Sequence, residues 1–478
     1  MLELDGATLT YEVFRDSCLR PNRPAIIRNA SRDALGVTCF DLAALKRRLS
    51  PRELCRSLGS QVLVPVYPVP STARVATSVS KAAAVGEEVD DERSCCEEMP
   101  LRVVLHSWAK LSTAPCSSSD SSFSSAPHVY YLKDWHLQAA LESAAATATT
   151  TSSFPSLPTL SGYAKCRSSG IHGDGLYRVP SFLGPDWMDP FCCRHRPPQN
   201  DACSTTLPVD DHVGTSPPMG FGNGEGDYRF CYIGPVGSWT PLHCDVFGTY
   251  SWSLNVCGDK QWFFPTMAGN KYLHSSLVPL FPTPPDIRVL TGIELDSVVQ
   301  HPGDLVFVPA FFYHQVHNIT GEVFHFFAGE GLAVEDHCGE DAAVPLPPTV
   351  AGAQLSVELT VALNHNWCNA FNIERMTMAF LADAQRLASH LSVDDLAVIC
   401  DTDDPAVWRQ FADRMLHNGT NWSFASMVCF LGYCLARIDS AADVALGSGD
   451  ERSATADQLR RLRGRVAEEY ARLFDKKP

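Results

Sequence analysis

The chain has 478 residues, 45% of them hydrophobic, and a formal net charge of −16 at pH 7. That apolar content is enough for a sizeable core, and the length alone sets a soft expectation of about three domains. The acid excess argues against a nucleic-acid backbone as partner and is compatible with a basic protein or peptide. The 18 cysteines are scattered without a CxxC pair, and Cys257, Cys429 and Cys434 sit in apolar patterns. They read as small buried hydrophobes in a reducing compartment, not as a disulfide framework. The chain opens Met1-Leu-Glu-Leu-Asp-Gly6, with an acid where a secretory leader is basic, and nothing approaches the roughly 18 consecutive apolar residues of a membrane span. The expectation is a soluble, cytoplasmic protein, a nuclear location remaining open, with no membrane and no direct nucleic-acid contact.

In chain order, residues 11–29 predict an amphipathic helix stopped by Pro21 and a short strand at Ala25–Arg28. A helix over Phe40–Leu58 and a strand at Gln61–Val66 follow. Residues 71–98 and 112–126 are Ser-, Ala- and acid-rich and bury too little apolar surface to offset ordering entropy, so they read as flexible insertions. Leu101–Leu111 between them carries a helical pattern, and Val129–His136 reads as a strand ending in a polar turn. Residues 143–153 and 194–226 look like further loops, flanking an ordered element rich in aromatics at Leu183–Phe191.

From Asp227 the pattern changes to closely spaced strands: Tyr228–Ile233, Trp239–Asp245, Ser251–Val256, Gln261–Phe264, Leu305–Val308 and Val361–Asn366. Short strands between Gly and Pro turns predict an antiparallel barrel or jelly roll. Residues 320–357, with five acids between Glu330 and Asp341 and then Pro345-Leu-Pro-Pro348, read as a surface insertion. After Trp367 the chain is helical over Phe371–Leu391 and Trp408–Ala436. The last helix is expected to open on a Thr455/Gln458 capping box and to carry a stripe of Leu459, Leu462, Val466, Tyr470 and Leu473. That stripe packs on the barrel or forms a homodimer surface. The resulting division is an N-terminal α/β flank (1–226), a β core (227–367) and a C-terminal helical region (368–478).

The chemistry gathers at Trp239-Thr-Pro-Leu-His-Cys-Asp245. Residues i and i+2 of an extended strand point to one side, so His243 and Asp245 offer an imidazole and a carboxylate to one point. A 2-His-1-carboxylate set on one face of iron(II) leaves the other face open, and it needs one more histidine. Pro302-Gly-Asp-Leu-Val-Phe-Val-Pro309 is a turn, an apolar strand and a stop that deliver His314, with His317 and His325 as alternatives. Lys260 lies in the apolar stretch Ser251–Phe264, and a lysine pointing into a barrel requires an anion. A dicarboxylate bound at the metal supplies one, and the hydroxyl of Thr240 can hold the same carboxylate. Cys192-Cys193-Arg-His195 with Cys203 lacks paired zinc-ligand spacing and reads as a loop.

Together, Tyr131-Leu-Lys-Asp-Trp-His-Leu137, Asp227-Tyr-Arg-Phe230, Gly237–Asp245, Ser251–Gly258, His314-Gln-Val-His-Asn318 and Asn364-His-Asn-Trp367 resemble the iron(II)- and 2-oxoglutarate-dependent JmjC oxygenases. Within them the resemblance is to the small-hydroxylase branch that includes lysyl hydroxylases of the translation termination (release) factor. It implies a double-stranded β-helix, cupin-like fold, with a mainly β core and α flanks. It also implies iron ligation by His243, Asp245 and His314, pairing of Lys260 with the distal carboxylate of 2-oxoglutarate, and Thr240 and Asn364 near that cosubstrate, with dioxygen as co-reactant. The implied reaction is C-hydroxylation of a protein lysine. An N-methyl-lysine demethylase using the same site is one alternative, and a non-catalytic cupin-like scaffold is the other.

Overall fold

The computed structural model describes residues 1–69, 96–113, 129–151, 175–194, 226–276, 286–327, 354–440 and 449–474. The larger of two sheets runs in the order β1 (Leu2–Asp5), β2 (Ala25–Arg28), β11 (Leu305–Val308), β8 (Tyr250–Cys257), β14 (Gln354–Trp367), β6 (Arg229–Pro235), β5 (Val129–Trp135), β3 (Leu63–Val69), β4 (Glu97–Pro100), with β13 (Glu322–Phe327) also paired to β14. The smaller runs β10 (Leu295–Gln300), β9 (Asp259–Pro265), β12 (His314–Thr320), β7 (Trp239–His243). Apart from the parallel β1–β2 pair, the described pairings are antiparallel. This is the cupin-type jelly roll that the strand spacing predicts.

Every residue of β8 is buried, because both of its faces are covered. Trp252, Leu254 and Val256 join the large core under the N-terminal helices, so by strand alternation Ser251, Ser253 and Asn255 face the space between the sheets. One end of that space is closed by Ile26, Trp262, Phe264, Val306, Val308, Phe312 and Val316, all buried in one cluster. The other end, lined by hydroxyls, amides and Lys260, holds the candidate site.

The N-terminal flank covers the outer face of the larger sheet. Its expected helix over 40–58 is two helices, Leu42–Arg48 and Pro51–Leu58. The break falls where Ser50 caps and Pro51 opens the second, since proline is favoured in a first turn and breaks a helix interior. The expected loop at 143–153 is instead largely helix, Leu137–Thr151; an alanine-rich run reads as low complexity yet is the best helix former.

The surface insertion expected at 320–357 is also narrower than its sequence suggests. Glu322–Phe327 is a strand paired to Gln354–Leu359 at the start of β14, with Phe324 and Phe326 buried in the main core. Its acidic centre lies outside the described residues, as do most of 71–98, 112–126 and 194–226.

In the C-terminal region, the pattern over 408–436 resolves into Pro405–Thr420 and Phe424–Asp439, separated where Asn421 turns left-handed and Ser423 and Ser426 form a capping box. The last helix begins at Gly449, so Thr455 is not a cap, and its hydroxyl donates to the Glu451 carbonyl inside the helix. Leu459, Leu462, Val466 and Leu473 are buried against the other helices of the same bundle. The bundle holds the core through Asn372, whose amide donates to the carbonyls of Gly248 and Trp367 at 3.3 and 3.2 Å. Of the cysteines placed in apolar patterns, Cys257 and Cys434 are buried but Cys429 is exposed. Cys192 is buried, and His195 and Cys203 lie outside the described residues.

Candidate metal and cosubstrate centre

Adjacent strands build the centre. His243 ends β7, His314 begins β12, and the two are cross-strand partners, with ring centroids 4.1 Å apart. Asp245 follows β7 in extended backbone before a turn at Val246–Gly248. The three are the one His/Cys/Asp/Glu group among the described residues able to hold a metal ion, one ligand atom from each lying within 4.8 Å of the others. The Asp245 Oδ1 is 4.0 Å from the Nε2 of both histidines.

Each ligand is held by a neighbour. The Nδ1 of His243 is 2.8 Å from the Pro241 carbonyl, and that of His314 is 3.0 Å from the Phe312 carbonyl. A carbonyl only accepts, so both rings carry their proton on Nδ1 and leave the Nε2 lone pair for a metal. Ser251 donates its hydroxyl to Asp245 Oδ2, freeing Oδ1. The surrounding protein pushes His243 well below its ordinary pKa, chiefly by desolvation and then by its neighbours His314 and Lys133. Its ring still keeps some exposure, as a metal site open to a substrate requires. A neutral imidazole is the ligating form. His314 is more enclosed, stacked on Trp262 and Phe264 at 5.7 and 5.9 Å.

The alternative third ligands are elsewhere. His317 lies flat on Trp239 at 5.1 Å with its Nε2 2.7 Å from the Gln315 amide, and burial brings its pKa down to about 4. His325 is exposed on β13.

Lys260 is on β9 two residues before Trp262, so strand alternation points it into the same interior. It is 2% exposed and makes no hydrogen bond or ion pair among the described residues; its Nζ lies 5.5 Å from the Tyr232 ring centroid. Desolvation lowers its pKa from 10.5 to about 7. Beside it in register is Asn318, and Thr240 is buried on β7. Burial raises the pKa of Tyr131, and the neighbouring side chains of Asn318 and Thr240 partly offset it. The Tyr131 ring lies across Gly234, where an added Cβ would come within 2.5 Å of it. Asn364 and Ser253 are cross-strand partners, and Asn364 Oδ1 and Ser253 Oγ are buried without partners.

A buried ammonium without a counter-charge, in an interior that also holds the unpartnered Ser253 hydroxyl as a donor, fits an anionic ligand that accepts hydrogen bonds, as a dicarboxylate does. Sequence reasoning missed Ser251, Asn318 and Tyr232. Ser251 was findable from its place on the same strand face as Ser253, and Asn318 from the phrase His314–Asn318; Tyr232 shows no signal in sequence.

Residues 230–322 match the family described as JmjC domain, hydroxylase. Over these residues the chain is similar to a JmjC domain. The match takes in His243, Asp245, Lys260 and His314. The chain is also 27% identical over 291 residues to the human 2-oxoglutarate and iron-dependent oxygenase JMJD4, covering 59% of this chain and 45% of that relative. For the Danio rerio protein of the same name the identity is 24% over 342 residues, 70% of this chain and 55% of the relative. The Arabidopsis thaliana arginine-specific demethylase JMJ20 is 26% identical over 246 residues, 49% of this chain and 41% of the relative. The chain thus spans about half the length of these curated relatives. Iron(II) and 2-oxoglutarate are the cofactor and cosubstrate that accompany a JmjC domain of this kind, and the donor set suits both.

Proposed function

We propose that the chain is an iron(II)- and 2-oxoglutarate-dependent protein hydroxylase whose substrate is a lysine of the translation termination factor, acting in the cytoplasm. One observation carries the oxygenase reading: the His243–Asp245–His314 ring shares the jelly-roll interior with Lys260, a buried cation lacking a counter-charge among the described residues. His243, Asp245 and His314 would hold the iron, Lys260 the distal carboxylate of 2-oxoglutarate, and Thr240 and Asn364 would line that cosubstrate. When bound, iron and 2-oxoglutarate supply the oxidising power, converting dioxygen and 2-oxoglutarate to succinate, carbon dioxide and one hydroxylated C–H bond.

The chain's own residues position and shield. The Pro241 and Phe312 carbonyls set the tautomers of the two histidines, Ser251 orients Asp245, and the cluster from Trp262 to Phe312 keeps water from behind the site. No protein acid or base needs to transfer a proton in the C–H step. The substrate rests on the resemblance of the quoted motifs, supported by similarity to relatives named as 2-oxoglutarate and iron-dependent oxygenases.

Similarity to a relative named as an arginine-specific demethylase favours a second reading, oxidative removal of an N-methyl group. A non-catalytic scaffold has no use for the triad and Lys260 together. Mass spectrometry of the termination factor incubated with the protein, iron(II) and 2-oxoglutarate discriminates them. A lysine gaining one oxygen is expected; loss of a methyl group with formaldehyde supports demethylation, and an unchanged protein removes the proposed substrate.

A further inference from the structure

Beside the metal ring, β5 departs from regular pairing. Leu132 pairs with Ile233 and Trp135 with Cys231, so two residues, Lys133 and Asp134, stand opposite Tyr232 alone. Asp134 has φ 59°, a left-handed conformation that aspartate tolerates better than most residues and that clusters at functional sites. A bulge of this kind re-aims side chains that regular alternation would send to opposite faces. Here it turns both toward one place.

The Asp134 carboxylate accepts from the Tyr232 hydroxyl at 2.6 Å. The Lys133 ammonium lies 3.5 Å from the other Asp134 oxygen and 4.2 Å from the Tyr67 ring centroid. The carboxylate side chain remains 38% exposed. The place is next to the candidate site: the Tyr232 side chain that donates to Asp134 also lies beside Lys260, whose Nζ is 5.5 Å from its ring centroid. A partly exposed carboxylate flanked by aromatic rings is a receptor for a cation, and in this structure it already holds an ammonium, that of the chain itself.

We propose that Asp134, with the rings of Tyr67 and Tyr232, receives the cationic side chain of the substrate, and that Lys133 fills the receptor until a substrate displaces it. This deepens the hydroxylase reading, on which it rests only for placing the receptor beside the reacting centre. The partner is a polypeptide presenting lysine or arginine, which suits a chain with net charge −16.

The probes are fluorescent peptide libraries of one polar design, each with lysine, arginine, norleucine or glutamine fixed at the centre. Their affinity for the protein is read by anisotropy, and 2-oxoglutarate consumption is read separately. The basic libraries bind more tightly than norleucine. Asp134→Asn, which keeps an acceptor for the Tyr232 hydroxyl, narrows that preference about fivefold, the scale of a half-exposed ion pair with aromatic support. Asp134→Glu restores part of it. Lys133→Met tightens binding of the basic libraries and lowers their KM, which a merely structural role for Lys133 would not do.

Equal binding of lysine and norleucine, an Asp134→Asn protein that keeps the full preference, or a Lys133→Met protein that loses it would overturn the receptor whatever the turnover. A preserved cation preference with no 2-oxoglutarate consumption would instead overturn the oxygenase reading and leave the receptor standing.

Discussion

Replacing Lys260 by methionine should make the ligand-free protein more stable and unable to hold its cosubstrate. Methionine matches the length of the side chain and removes its charge. One pH unit of pKa displacement corresponds to about 1.4 kcal/mol, so the lowering of Lys260 from 10.5 to about 7 caps the cost of burying this ammonium at about 5 kcal/mol. Relaxation and water entry bring the measurable part to about 2 kcal/mol. The sign with pH follows from linkage. The unfolded chain keeps this proton to about 10.5 and the folded chain releases it near 7, so between those values folding releases a proton and stability rises with pH. The penalty is full below pH 7 and gone above 10.5.

Urea unfolding of the metal-free protein from pH 6 to 10 should therefore show Lys260→Met ahead of the unsubstituted chain at pH 6, with the gap closing as the pH rises. Adding 2-oxoglutarate with a metal should reverse the order, because a ligand that binds only the folded state stabilises it by mass action and methionine offers it no charge. If Lys260→Met lost stability at pH 6, or kept the full thermal shift with 2-oxoglutarate, the lysine would not be an unpaired cation awaiting an anion.

Two other substitutions test how the ligands are held. Ser251→Ala removes the hydroxyl that binds Asp245; metal affinity, read by competition with a chelator, should fall about 10- to 100-fold, the usual effect of losing a partner behind a ligand, with the fold intact by circular dichroism. Asn270 accepts from the Tyr313 amide at 2.8 Å and donates to the Phe311 carbonyl at 3.1 Å, clamping a left-handed Phe311 (φ 56°) three residues before His314. Asn270→Ala should lower stability by about 1–3 kcal/mol and weaken metal binding as well, whereas stability loss without any effect on metal would show that the clamp does not position His314.

The metal ring was legible in sequence because its three members sit in short, strongly patterned segments: the His-x-Asp spacing, and a Pro-Gly turn and apolar strand leading to His314. Lys260 stood out as a charge in an apolar run, which physics makes costly unless it is used. The strand that carries His314 was not legible. His314 and Val316 face the interior, but Gln315 and His317 are also buried, Gln315 accepting from the Ile287 amide and donating to Asp286. A strand with both faces covered and polar groups on each has no alternation to read. The same holds for the bulge in β5. Nothing local marks Lys133 and Asp134 as facing one way, because their direction depends on a register shift against β6 that only the folded pair of strands creates. The break at Ser50-Pro51 had a local signal in its capping serine and proline, and the apolar periodicity running across it hid the join.

Stoichiometry measures most directly whether the metal ring and Lys260 work as one oxygenase site. Purified protein with iron(II), 2-oxoglutarate, dioxygen and the termination factor should form one succinate for each oxygen gained by the substrate, and His314→Ala should abolish both. Succinate formation that persists in His314→Ala, or an unmodified protein that forms none with any lysine-bearing substrate under the same conditions, would contradict a single oxygenase site.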